Sequence, residues 1–480
     1  MSTANPSIRL ATVAGHLVRS VVSNDEPERH RARALEDLDA ALPTRADLEA
    51  AGSRMLGIVT TPDFHPGKPV PVGVVADIEG AVCPHLIGND IGCGMRMVVI
   101  EDVSEDDLHS KVLEENLRHV FFQGGRDIAL TGKDRHAILR EGIPGLLSSL
   151  KHDRIGLLSK LDLDAAWRDA DRMADAGMFA CSDLDPDFAD YGAIDTIHRR
   201  DAILGTIGGG NHFVELGIVD RIEDGTFAAA AGIRKGAVVL VAHSGSLDFG
   251  QRVGTATRDR IRMSGKRSGD ERVVSKEHAP RLHRRYLDGH ANAANIAFAN
   301  RFFIALAAVE ALSRTVGREL NHRLVYDAPH NTVWEDGDVV RHRKGACPAR
   351  GSSAMTGTPY EWLGEPVILP GSMGDGTWLL KGLGSADGLH SAAHGAGRKL
   401  SRQQARAADD EAASLRVVGP VDPADPKVRG RSDILAEVLG RLKEEAPAAY
   451  RPIELVVNPM VDAGLVGKVA KVRPVLTAKG

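Results

Sequence analysis

Short apolar runs bounded by turn-forming residues, rather than long amphipathic stretches, set the hydrophobic pattern of this chain. The runs 95–100, 238–242, 324–328 and 367–369 are rich in Val, Ile and Leu and are flanked by Gly, Pro, Asn or Asp, which predicts strands. Two further strands, at 57–59 and 71–75, are expected on either side of a turn-rich stretch at 61–67. Helical spacing predicts a charged helix at 26–41, a helix capped by Ser104 with an acidic first turn, and a helix at 157–176 that stops at Gly177. At 291–320 the apolar positions Ile296, Phe303, Leu306 and Val309 recur at helical spacing, as in a buried core helix.

Composition changes this picture only by exclusion. With 43% hydrophobic and 26% charged residues the chain is an ordinary soluble globular protein. Aromatics at 4% provide no stacking platform for single-stranded nucleic acid. A net charge of −5 gives no global attraction to polyanions, so any nucleic-acid contact requires a local basic face. The segment 251–285 is the candidate: eleven Arg or Lys stand against four Asp or Glu, a net of +7. Four cysteines in 480 residues form no disulfide framework, which predicts reduced thiols and a cytoplasmic protein. The N-terminus has no apolar signal region and no run of 18 apolar residues occurs, so no membrane partner is expected.

The candidate chemistry starts at Asp90-Ile91-Gly92-Cys93-Gly94-Met95. A carboxylate and a thiol lie within four residues of a glycine-rich turn that can aim both at one point. Such a pair suits a divalent transition metal when histidines arrive from elsewhere, although the turn alone also fits a small buried cysteine. A second glycine run, 205–210, delivers Asn211, His212 and Glu215. His243 and His330 each follow a predicted strand, where a rigid sheet positions loops. Asp90, Cys93, His212, His243 and His330 therefore compose a mixed O, S and N donor set for Mn, Zn or Fe, and a bridging thiolate would make it binuclear. Pro370-Gly371-Ser372-Met373-Gly374 and His394-Gly395-Ala396-Gly397-Arg398 suit close backbone approach to phosphate, yet neither matches a P-loop or a dinucleotide fingerprint. His394 beside Arg398 has the form of a nucleophile or acid/base next to a phosphate clamp.

Taken together, these motifs resemble the RtcB family of GTP-dependent RNA ligases. Pro62-Asp63-Phe64-His65, Arg343-Lys344-Gly345-Ala346 and the terminal Lys479-Gly480 complete the likeness, which spans residues 55–480. The resemblance implies an α+β fold: one large domain over 1–480, with mixed and antiparallel sheets around a deep metal- and nucleotide-binding cleft. Residues 1–50 would form a polar N-terminal segment and 251–285 a basic helical one. It further implies two Mn²⁺ on Asp90, Cys93, His212, His243 and His330, with Cys93 bridging, and GTP as the second cofactor. His394 would carry a covalent guanylate. Asn211, Glu215, Ser372, Gly374, Gly395, Ala396, Gly397, Arg398, Tyr450 and Lys479 would hold the nucleotide. The implied partners are RNA ends, bearing a 3′-phosphate or 2′,3′-cyclic phosphate and a 5′-hydroxyl, and an activating archease-like protein. One departure stands out: after His243-Ser244-Gly245-Ser246 the family usually continues Arg-Gly, and this chain has Leu247-Asp248. A binuclear phosphoesterase or a non-ligating RNA-binding paralogue are the competing readings; neither needs His394 as a nucleophile.

Overall fold

The computed structural model describes residues 7–23, 28–150, 154–263, 272–407 and 415–480. The α+β expectation holds, with two main sheets and a central helix. The sheet that builds the site runs in the spatial order His322–Pro329, Gly94–Ile100, Val238–Ser244, Phe213–Ile222, Val466–Ala478, Thr377–Gly382, Pro366–Pro370, with every neighbouring pair antiparallel. The second sheet, six strands, contains Arg54–His65, Val72–Glu79, Val339–Lys344 and Asn331–Asp336. The N-terminal strands Ile8–Val13 and His16–Val21 extend its edge.

Register brings the candidate residues together. Gly94 pairs with both Ser244 and Pro329, and His243 pairs with Phe213. Cys93, His212, His243 and His330 therefore all sit at one end of four adjacent strands. Gly94 is required there: a Cβ would lie 2.4 Å from the Ala328 carbonyl oxygen, too close for any side chain.

The helix Pro280–Val316 crosses behind this sheet. It is long and apolar enough to span a membrane, but 94% of its most apolar window is buried inside the protein, as a core helix is. Ile296, Phe303, Leu306 and Val309 are all buried, as the spacing predicts. The helix begins before 291 because Pro280 suits a first turn, and it ends at Gly317, whose φ of +73° closes it.

Several local expectations are corrected. The stretch 61–67 continues as strand to His65, and the register with Val72–Glu79 jumps between Thr60 and His65. The turn residues make a bulge instead of a reversal, which re-aims Asp63. The helix expected at 157–176 is three short pieces, Gly156–Lys160, Leu163–Ala170 and Ala174–Gly177, because Asp162 starts a new cap and Asp175 and Ala176 take positive φ. The charged helix is Glu28–Ala41; Glu26 lies outside the described residues. The basic segment divides into the helix Asp248–Met263, residues 264–271 outside the described set, the short strand Val274–Ser275 and the start of the central helix. Six of its nine described cations pair with acids outside it: Arg260 with Asp185 and Asp187, Arg285 with Asp185, Arg272 with Asp47, Lys276 with Asp338, Arg284 with Glu335, and Arg252 with the neighbouring Asp248. A count along the segment could not include these partners.

Candidate metal centre and nucleotide cleft

Two donor groups share one thiol. Cys93, His243 and His330 form one, Asp90, Cys93 and His212 the other, and within each group the donor atoms lie within 4.8 Å of one another. The Cys93 Sγ is 3.1 Å from His243 Nε2 and 3.3 Å from His212 Nε2. His212 Nε2 is 3.2 Å from Asp90 Oδ2, and His243 Nε2 is 3.4 Å from His330 Nε2. Among the described residues Cys93 is the donor common to both groups, which is the arrangement a bridging thiolate requires.

The protonation states suit a metal. The Asn211 carbonyl can only accept, so His243 Nδ1 donates to it (3.1 Å) and its Nε2 lone pair faces the thiol. Burial pushes both His243 and His330 well below the usual histidine range and keeps them neutral. Burial opposes a charge on Asp90, but the neighbouring His212 prevails and holds the carboxyl below its usual range. The Cys93 thiol is driven well up by burial and then by Asp90. A thiol so reluctant to ionise alone, set among neutral imidazoles, fits a divalent cation that would take the proton's place.

Asp90, Cys93, His243 and His330 line a cleft of about 300 Å³, within the size of small-molecule sites. His394 faces them from the other wall, its ring centroid 4.7 Å from that of His330. Its Nδ1 is 2.6 Å from Asp63 Oδ2, and the His394 backbone N–H donates to the same oxygen. Burial raises the Asp63 carboxyl and the His394 hydrogen bond overrides it, leaving Asp63 below its usual range and ionised. An ionised carboxylate only accepts, so Nδ1 carries a hydrogen, and in the neutral ring Nε2 is the atom that presents the lone pair. Gly397, at φ +68°, admits nothing larger, since a Cβ would lie 2.7 Å from the Asp63 carbonyl oxygen.

Asn211, Glu215, Ser372, Gly395, Ala396, Gly397, Arg398, Tyr450 and Lys479 all line the same cleft. Gly374 does not; it packs towards Pro447. Arg398 is not a free clamp: it donates to Glu445 (3.1 Å), Tyr450 Oη (3.0 Å) and the Glu444 carbonyl (2.6 Å). Lys479 Nζ donates to the carbonyls of Gly210 (2.6 Å) and His212 (3.2 Å), which ties the C-terminus to the loop bearing a metal donor.

Sequence reasoning quoted Asp63 and Lys344 within motifs but gave neither a role, and it passed over Glu445. Lys344 lines the cleft, donates to the Lys68 carbonyl at 2.9 Å, and is brought down to about 7 by burial. Glu445 follows the surface helix Ser432–Glu444, where an acid carries no signal.

Glu215 yields a pH prediction. Burial raises its carboxyl to about 7, against the lowering effect of hydrogen bonds from Thr477 and Thr377. The folded protein therefore holds this proton more tightly than the unfolded chain, whose carboxyl titrates near 4.5. Stability from this group is full below about pH 4.5 and is lost as pH rises to 7, by on the order of 3 kcal/mol. Urea midpoints should fall over this range in wild type and less in Glu215→Gln; parallel curves would show that Glu215 does not titrate there.

The fold and site define a class: a single-domain α+β protein in which Cys, His and Asp donor groups meet at one cleft with a histidine held by a carboxylate. A family model described as tRNA-splicing ligase RtcB matches residues 50–480, and the chain belongs to that family. It is 31% identical over 453 residues to the tRNA-splicing ligase RtcB of Pyrobaculum aerophilum, covering 88% of this chain and 87% of that one. It is 30% identical to the tRNA-splicing ligase RtcB of Thermococcus kodakarensis (88% and 87% covered) and to the RNA-splicing ligase RtcB2 of Escherichia coli (88% of each). Membership supports an RNA ligase, and the buried donor groups are compatible with a metal-dependent one.

Proposed function

We propose that this protein is a GTP-dependent RNA ligase that joins 3′-phosphate or 2′,3′-cyclic phosphate ends to 5′-hydroxyl ends, in cytoplasmic RNA repair or tRNA splicing. The observation that carries this reading is His394: its Nδ1 is fixed by a buried carboxylate and its ring is 4.7 Å from a metal-donor histidine. A binuclear metallohydrolase would use the same donors and does not need a carboxylate-fixed histidine beside them.

His394 Nε2 attacks the α-phosphorus of GTP, forming an N–P bond as the bond to pyrophosphate breaks and that group leaves with the electron pair. Asp63 holds the ring's orientation and balances the charge that develops on it. A 2′,3′-cyclic phosphate end is first opened by water, which breaks the P–O2′ bond and leaves a 3′-phosphate and a 2′-hydroxyl. The guanylate then passes to a 3′-phosphate oxygen, breaking the N–P bond and restoring His394. Attack by the 5′-hydroxyl oxygen on the activated 3′-phosphorus expels GMP, and the hydroxyl proton is lost to solvent. Asp90, Cys93, His212, His243 and His330 would hold two Mn²⁺, which supply positive charge for phosphates and leaving groups. Asn211, Glu215, Ser372, Tyr450 and Lys479 would hold the nucleotide, with backbone of Gly395, Ala396, Gly397 and Arg398 near its phosphates. RNA ends and an activating archease-like protein are the expected partners.

Incubation with α-³²P-GTP and Mn²⁺ followed by a denaturing gel tests this reading. Label on the chain is expected; an unlabelled chain that hydrolyses phosphoesters would indicate the binuclear phosphoesterase.

The departure at Leu247 supports a narrowed substrate range. Leu247 takes φ +55°, a costly conformation for a branched side chain, beside Gly208 and the His212 loop. Asp248 adds a carboxylate, paired with Arg252 at 2.6 Å. Leu247→Arg with Asp248→Gly should raise sealing of generic RNA ends roughly tenfold, about 1.4 kcal/mol, with guanylylation little changed. A double variant that seals no faster would show that position 247 does not read RNA.

A further inference from the structure

Behind the donor cluster, on the side away from the cleft, Arg301 of the central helix is wholly buried. Its Nη1 donates to the carbonyl of Gly92 (2.6 Å) and to that of Ser244 (2.9 Å). Its Nε donates to Asp327 Oδ1 (2.9 Å), and its Nη2 lies 2.8 Å from the same oxygen. These three partners lie on three different segments. Gly92 immediately precedes Cys93, Ser244 immediately follows His243, and Asp327 lies three residues before His330 on the same strand end. One rigid guanidinium thus ties together the backbone that carries Cys93, His243 and His330. No contact of Arg301 reaches Asp90 or His212 directly.

We propose that Arg301 is the positioning residue of the Cys93–His243–His330 site, fixing the spacing of those three donors, and that the Asp90–His212 side feels it only through the shared Cys93. The proposal rests on the two-metal reading of the donor groups. Burying an arginine is costly unless its charge is paired. Here Nε and Nη1 make hydrogen bonds and Nη2 keeps only its charge contact with Asp327, and a lysine could not serve a carboxylate and two carbonyls at once. Contacts of this kind orient metal ligands, and their loss commonly lowers affinity 10- to 100-fold. Asn300, next on the helix, reinforces the same strand end by donating to Ser244 Oγ (2.9 Å) and the Gly245 carbonyl (3.1 Å). Arg96 serves as the internal comparison: it donates to the other oxygen of Asp327 (3.1 Å), and none of its recorded contacts reaches the Gly92 or Ser244 carbonyl.

The test is calorimetric titration of the metal-stripped protein with Mn²⁺, and separately with Co²⁺ followed by its thiolate charge-transfer band. His330→Ala and His212→Ala assign the two binding steps. Arg301→Lys should weaken the step lost in His330→Ala by roughly 10- to 100-fold, and the step lost in His212→Ala by no more than a few-fold. Arg96→Lys, which loosens the same buried carboxylate, should leave both steps near wild type. Should Arg301→Lys not accumulate as folded protein, Arg301→Gln is read in the same way, since it removes the reach to both carbonyls while Asp327 keeps Arg96 as its counterion. The proposal is overturned if the variant binds both ions like wild type, or if both steps weaken equally. Loss of both steps in the two assignment variants together, with no separate Arg301 effect, would instead sink the two-site reading on which it rests.

Discussion

Replacing His394 with alanine should abolish the covalent guanylate while metal content and thermal stability stay near wild type. The imidazole is the group in the cleft whose Nδ1 is fixed by a carboxylate and whose Nε2 is left with a lone pair. Among the described residues of the cleft, Lys344 and Lys479 direct their amines at carbonyl oxygens, and the His65 ring is held by the Asp63 backbone carbonyl rather than by a carboxylate. Asp63→Asn should retain the fold and lower guanylylation by roughly 10²–10⁴, since an amide can hold the wrong tautomer and cannot balance charge. The pair of variants separates the two roles. Radiolabel from α-³²P-GTP remaining on His394→Ala at the wild-type level would remove the nucleophile assignment, and with it the proposed ligase route.

Cys93→Ala should lower bound metal and RNA sealing together, and by more than the loss of any single histidine. Its Sγ is the shared member of both donor groups, so its removal leaves two donors on each side. Affinity should fall by at least roughly 100-fold, the upper range for disturbing merely a supporting contact. Elemental analysis after gel filtration measures the stoichiometry, and a gel-based sealing assay the activity. Two ions per chain in the variant would contradict the bridge. Loss of one ion with the other intact would place the thiol in only one of the groups.

How much of this was legible beforehand differs element by element. The strands at 95–100, 238–242 and 324–328 were clear because buried strands in a packed sheet need continuous apolar side chains, a local requirement written in composition. The long helix was equally clear, for the same reason. The broken helix at 157–176 was not: residues with helical spacing were overridden by a new cap at Asp162 and by positive φ at Asp175 and Ala176. The bulge at 61–65 was misread as a turn, because Pro, Asp and Gly serve both, and the choice depends on the partner strand.

The inventory can be read along the chain: five candidate metal donors of the right softness, a histidine in a glycine-rich turn, and the apolar segments that place them at strand ends. These are local facts, since donor chemistry and strand propensity belong to single residues and their neighbours. Tertiary structure alone decided which of them share a point in space. Register set Gly94 opposite both Ser244 and Pro329, so that Cys93, His243 and His330 converge. Folding also matched Asp63 to His394 across 331 residues, Arg398 to Glu445, and the cations of 251–285 to distant acids. Pairings of this kind are fixed by how sheets and helices pack, which depends on the whole chain at once, and no window of sequence contains them.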